Sequence, residues 1–182
     1  MSELNESIFL NKLEISIKNI INEFNGLCGV SIFDLNSNWY FGHNDDLIFP
    51  TASSIKIPVL IKLIDDSYNN KFNLSDEITV SDEMKSRGSG IIHKMQGPIS
   101  LTIENLAILM INLSDNTATN LCIDFAKLNE INQMLVDYEF SNMRLNRKMQ
   151  DYEAINAGKE NISTPKEMNR IMQMLYSSNA IS

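Results

Sequence analysis

The sequence predicts a single α+β domain. Three observations carry that expectation: apolar residues at helical spacing near the N-terminus, a short β-rich hairpin directly after them, and a middle section of successive apolar helical runs with no composition break. With 182 residues, 43% of them hydrophobic, the chain can bury one substantial core.

The elements follow in order. Ile8, Leu10, Leu13, Ile17, Ile20, Ile21 and Phe24 recur at near-helical spacing and predict an amphipathic first helix that Gly26 ends. Leu27 to Leu35 reads as a strand, Asn36-Ser37-Asn38 as its turn, and Trp39 to Gly42 as the returning strand of a β-hairpin. An apolar helix is expected over Ile55 to Ile64, with Pro58 in its first turns, where a missing N–H costs least. Residues 66 to 99 are polar, contain glycine and read as irregular, with turns at Asn73-Leu74-Ser75-Asp76 and Lys85-Ser86-Arg87-Gly88. Helices are expected over 102–113, 117–127 and 129–137, then a loop with short turns from 140 to 163. Thr164 as N-cap, Pro165 at the first position and Glu167 three residues after the cap predict a capping box that opens the last helix.

Chemistry concentrates at Ser53 and Lys56. Residues three apart on a helix share a face, so Lys56 can reach the Ser53 hydroxyl and take or relay its proton. A serine on a first turn also has free backbone N–H groups and the positive end of the helix dipole beside it, which favours a nearby oxyanion. Alone, the spacing is common on solvated helical faces. Its support is Leu113-Ser114-Asp115-Asn116, between two expected helices, which reads both as a capping turn and as a second element of a serine acyl-transfer site.

Ser53-x-x-Lys56 followed by Ser114-Asp115-Asn116 resembles the ordered motifs of class A β-lactamases and penicillin-binding proteins. Pro58, the segment Arg87-Gly88-Ser89-Gly90-Ile91-Ile92, and Arg144-Leu145-Asn146-Arg147 leading to Ser163-Thr164-Pro165 are similar to further landmarks of that family, in family order. The resemblance implies a β-lactamase/transpeptidase-like fold, with a helical core, an N-terminal helix and the hairpin of an antiparallel sheet. It implies a serine hydrolase that opens a β-lactam through a Ser53 acyl-enzyme, hence β-lactam catabolism and antibiotic resistance. Lys56 would activate Ser53 or relay its proton, and Ser114 would pass a proton to the leaving nitrogen. Asn116 would bind the substrate side-chain amide and Lys56, Asp115 would brace its loop through backbone N–H groups, and the Ser53 N–H would supply one oxyanion donor. The implied partner is a small β-lactam or acyl-peptide, with no cofactor and no metal.

Two departures bear on turnover. In class A enzymes a glutamate on the loop after the helical core activates the hydrolytic water. The similar position here is Met149, flanked by Lys148 and Gln150, and none is a suitable base. Asp151 and Glu153 are the nearest acids and the candidate deacylation bases, against the reading that both face solvent. The loop's arginine–aspartate closure also changes, with Arg147 expected to face Asn161 rather than an acid. The second departure is the third family motif, Lys-Thr-Gly or Lys-Ser-Gly, which the sequence does not contain. Residues 1–182 therefore read as one C-terminally truncated catalytic domain whose later strands are missing, with self-association through an exposed sheet edge as a consequence. Two alternatives stay open: a catalytically silent fragment or binding module, and a penicillin-binding-protein-like D-Ala-D-Ala peptidase.

Composition excludes other classes. A formal charge of −8, from 23 acids against 15 bases with no Lys/Arg cluster, argues against nucleic-acid or anionic-membrane partners. The ten methionines read as core filler. Cys28 and Cys122 read as reduced, buried thiols, and His43 and His93 as ordinary histidines without zinc-ligand spacing. His93 is also a candidate for the mouth of the site. The acidic N-terminus lacks a secretory pattern and no apolar run reaches the roughly 18 residues of a membrane span, so a cytoplasmic location is expected although the resembled family is usually exported.

Overall fold

A computed structural model describes residues 3–177. Helix α1 (Glu3–Glu23) leads into strands β1 (Val30–Phe33) and β2 (Tyr40–His43), which form the expected antiparallel hairpin with Val30 opposite His43 and Phe33 opposite Tyr40. On α1, Leu10, Leu13, Ile17 and Ile21 form a half-buried stripe, whereas Ile8, Phe9, Ile15 and Ile20 lie open to solvent. Strand β3 (Phe49–Pro50) follows, then a 3-10 turn over Ala52–Ile55 that runs straight into α2 (Lys56–Tyr68).

Helix α2 is the centre of the packing. Its Val59 and Leu63 are fully buried beside Ile103, Leu106 and Met110 of α3 (Ile103–Asn112), Ala118, Cys122 and Ile123 of α4 (Asn116–Ala126), and Ile131 and Leu135 of α5 (Leu128–Asp137). Burying a side chain of this size contributes about 1.5–3 kcal/mol, so this cluster supplies much of what keeps α2 in place. Thr102 starts α3 with a capping box: its side chain accepts from Asn105 N at 3.0 Å and Asn105 Oδ1 accepts from Thr102 N at 3.3 Å.

The sequence missed two short ladders. Residues 66–99 are not uniformly irregular, because α2 continues to Tyr68, and β4 (Glu77–Val80) pairs antiparallel with β5 (Ile99–Thr102). The cue was the alternation of Glu77, Ile78, Thr79 and Val80, which are exposed, half-buried, exposed and buried in turn. The loop after α5 carries a short helix α6 (Tyr152–Asn156) and strand β6 (Ile162–Ser163), which pairs antiparallel with β3. Helix α7 (Pro165–Tyr176) then packs on β1.

The cap of α7 corrects the capping-box expectation in one half. Thr164 Oγ1 accepts from Glu167 N at 3.1 Å as expected, but the Glu167 carboxylate takes the Asn142 N–H at 3.0 Å instead of turning back to the cap. The half-buried Asn142 N–H needs an acceptor, and the buried Glu167 carboxylate supplies it. Among the described residues Cys28 and Cys122 are free thiols, Cys28 only partly buried, and no helix is long and apolar enough to cross a membrane.

Candidate active site

Ser53 sits exposed on the 3-10 turn ahead of α2, and Lys56, on the same turn of chain, is 2% exposed. Ala52 has φ of 46°, a left-handed conformation in a residue with a Cβ, and such strain persists where the surrounding structure holds it. Ser54 N donates to Thr51 O at 3.1 Å as the turn begins, so the Ser53 N–H lies ahead of the helical ladder, among the donors a helix start leaves unpaired.

The link from Lys56 to Ser53 runs through Ser114. Lys56 Nζ donates to Ser114 Oγ at 2.8 Å and to Ser114 O at 2.7 Å, and Ser114 Oγ lies 2.8 Å from Ser53 Oγ. Three polar atoms thus form one hydrogen-bonded chain. Ser114 has φ of 51°, a second left-handed non-glycine residue at the site, just before α4 opens at Asn116. Asn116 Oδ1 lies 3.5 Å from Lys56 Nζ, and Asn116 Nδ2 donates to Arg87 O at 3.0 Å, so the amide ties the lysine to the loop before residue 90. Burial pushes the Lys56 ammonium down to about 8 while the Asp115 carboxylate works the other way.

Asp115 is fully buried and works as a brace, the role the resemblance implies. One oxygen accepts from Ile91 N at 2.7 Å and Ile92 N at 2.9 Å, and the other caps α4 through Ala118 N at 3.0 Å. This needs Gly90, whose φ is 102° and where a Cβ would collide with the Asp115 carboxylate. The loop is therefore shaped around the carboxylate.

The wall facing Ser53 belongs to residues 144–161. A cavity of about 230 Å³ is lined by Ser53, Ser89, Asn116, Met149, Gln150 and Glu160, among others. A larger hollow beside Phe49 and Pro165 holds neither Ser53 nor Lys56, so chemistry rather than size locates the site. Met149 is 9% exposed, and Asn120 pins its peptide from both sides, accepting from Met149 N at 2.7 Å and donating to Met149 O at 3.1 Å. Asn161 fastens the loop neck: its Oδ1 accepts from Asn146 N and Arg147 N, and its Nδ2 donates to Arg147 O.

The expected loop closure is corrected here. Arg147 does meet Asn161 through the backbone, but its guanidinium pairs with an acid after all, Glu160, at 2.7 Å. The two candidate bases are elsewhere. Asp151 Oδ1 accepts from Ala154 N at 3.0 Å as the cap of α6, and Glu153 is exposed on that helix; neither lines the cavity. His93 is outside the lining too, and its Nδ1 is buried without a partner among the described residues. No group of three His, Cys, Asp or Glu residues among those described is placed to hold a metal ion.

Comparison with known proteins shows the family. A model of the "Beta-lactamase enzyme family" matches residues 12–182. Beta-lactamase VEB-1 of Pseudomonas aeruginosa is 25% identical over 170 residues, covering 91% of this chain and 57% of that protein. Beta-lactamase SME-1 of Serratia marcescens is 26% identical over 172 residues, with the same shares of 91% and 57%. The chain thus spans little more than half the length of these relatives. Among solved structures, a β-lactamase from Sphaerobacter thermophilus DSM 20745 superposes with a TM-score of 0.77 at 32% identity, covering 85% of this chain and 57% of that one. PBP-A superposes with a TM-score of 0.82 at 24% identity, covering 95% and 64%.

Proposed function

Because the chain belongs to the β-lactamase enzyme family, we propose that it forms an acyl-enzyme on Ser53 with β-lactams. The observation that carries the reading is the continuous path Ser53 Oγ, Ser114 Oγ, Lys56 Nζ, with a lysine whose burial brings it within reach of neutrality near pH 8.

The steps follow from this reading. With Lys56 neutral, the path runs from Ser53 to Ser114 to Lys56, and Ser53 Oγ loses its proton as it bonds to the lactam carbonyl carbon. The Ser53 N–H donates to the forming oxyanion. The proton held on Lys56 returns through Ser114 to the lactam nitrogen as the C–N bond breaks. Asn116 holds Lys56 in line and presents its amide to the cleft. Incubating the full chain with a fluorescent penicillin and reading intact mass tests this: one adduct is expected, lost in Ser53→Ala, and its absence from the unmodified chain overturns the reading.

A second reading, favoured by Met149, is a slow-deacylating enzyme of the penicillin-binding-protein type, acting on D-Ala-D-Ala-type peptides. A buried thioether whose peptide is clamped by Asn120 puts no base at that place in the wall. Of the solved relatives, one is a point mutant of PBP-A in an acyl-enzyme complex with penicillin G. Adduct lifetime separates the readings: seconds for a hydrolase of β-lactams, hours for a peptidase that β-lactams trap.

A further inference from the structure

We propose that Glu160 is the general base that activates the water for hydrolysis of the Ser53 acyl-enzyme. The assignment rests on the acylation reading above and extends it to the second half of the reaction.

Strand register brings Glu160 to the nucleophile. Strands β3 and β6 pair Phe49 with Ser163 and Pro50 with Ile162, and one step on, Thr51 N donates to Asn161 O at 2.9 Å. Continuing that antiparallel register sets Glu160 opposite Ala52, the residue before Ser53. The side chain accordingly lines the same cavity as Ser53, and among the residues lining it Glu160 is the only carboxylate.

Its surroundings suit the task. Arg147, itself 15% exposed, holds one Glu160 oxygen at 2.7 Å, which orients the carboxylate. The other oxygen is left for water, since the glutamate side chain is 38% exposed. Neighbouring acids do not compete: Asp151 is committed to capping α6, and Glu153 lies outside the cavity. The acidic group that closes the loop is thus also the one that faces the ester.

The step balances without a co-reactant. A water O–H bond breaks and its proton passes to Glu160, while the water oxygen bonds to the acyl carbonyl carbon. As the tetrahedral intermediate collapses, the carbon–Oγ bond to Ser53 breaks, and the proton on Glu160 returns to Ser53 Oγ. Carboxylic acid product and free serine result.

The test follows acylation and deacylation separately on the full chain, using a fluorescent penicillin in single-turnover and wash-out experiments. Glu160→Gln should slow deacylation on the order of 100-fold, well beyond any change in acylation. Arg147→Gln distinguishes a base from a mere loop fastener. It breaks the same ion pair but keeps the carboxylate, so deacylation should persist, slowed far less than in Glu160→Gln. Equal loss of deacylation in Glu160→Gln and Arg147→Gln would make Glu160 a fastener and overturn the assignment. So would an adduct that decays equally fast in Glu160→Gln and in the unmodified chain, which leaves the acylation reading standing. No adduct in any variant overturns both.

Discussion

Asp115→Asn tests the brace and the relay with one substitution. The carboxylate accepts three backbone N–H groups at 2.7, 2.9 and 3.0 Å in a fully buried place. Hydrogen bonds to a charged group contribute about 1.5–3 kcal/mol each, and neutral ones about half as much. An asparagine keeps one oxygen for the Ile91 and Ile92 pair and turns its NH₂ against Ala118 N, so one bond is lost and two weaken. The expected loss is about 3 kcal/mol, a large share of the 5–15 kcal/mol typical of a domain. Urea unfolding should show it as a lower midpoint at unchanged slope. The same change acts on Lys56. Asp115 raises the Lys56 ammonium against the burial that lowers it to about 8, so removing the charge drops it further. Acylation needs the neutral amine, so its rate climbs with pH up to about 8 in the parent chain and levels above, and the limb should move to lower pH in the variant. A limb that stays or moves to higher pH refutes the electrostatic link, and a stability loss below about 1 kcal/mol refutes the brace.

Four further outcomes are expected. Gly90→Ala should destabilise the chain by about 2 kcal/mol or more in urea, because it combines a positive-φ strain with a collision against the Asp115 carboxylate. Ser114→Ala and Lys56→Met should each slow acylation, and the double variant should be no slower than the worse single one, since both cut one path; multiplicative losses in stopped-flow labelling would mean two paths. Met149→Glu should shorten the adduct lifetime at least about tenfold, by placing a base in the wall beside Ser53, as read by intact-mass time courses. The open apolar positions Ile8, Phe9, Ile15 and Ile20 on α1 should drive self-association, so light scattering should give a mass above the monomer that falls when Phe9 and Ile20 are changed to Glu.

The elements of the candidate site were legible because their signals are local. Ser53-x-x-Lys56 and Ser114-Asp115-Asn116 are short patterns, and helices α3, α4 and α5 lie within a residue or so of the expected 102–113, 117–127 and 129–137. What the patterns could not give is which atom touches which. Spacing on a helix suggested direct contact of Lys56 with Ser53, whereas the left-handed Ser114 puts its hydroxyl between them. The β4–β5 ladder was missed because four-residue strands in polar surroundings gain their stability from pairing across the chain. Glu160 was missed for a related reason. Attention to the loop's local pattern led to residues 149–153 and to Asn161, but a residue's side of the cavity is set by the β3–β6 register. Glu167 shows the same competition, a capping rule outweighed by a tertiary partner at Asn142.

The two halves of the proposed reaction rest on different kinds of structure. Ser53 stands on the turn that runs into α2, Lys56 on α2 itself and Ser114 at the entrance of α4, and the apolar faces of both helices are locked in the core through Val59, Leu63, Ala118 and Cys122. Close packing resists small displacements, which is what allows Ala52 and Ser114 to be held in left-handed conformations beside an almost fully buried lysine. The facing wall is different. Leu145 and Met149 reach inward, but the course of the loop is fixed by amides and charges: Asn120 on Met149, Asn132 on Leu145, Asn161 on Arg147, and Arg147 on Glu160. Polar clamps of this kind loosen at lower cost than a packed core. Substitutions in the clamps should therefore change how long an acyl group stays on Ser53 before they change how fast it arrives, and substitutions under α2 should do the reverse.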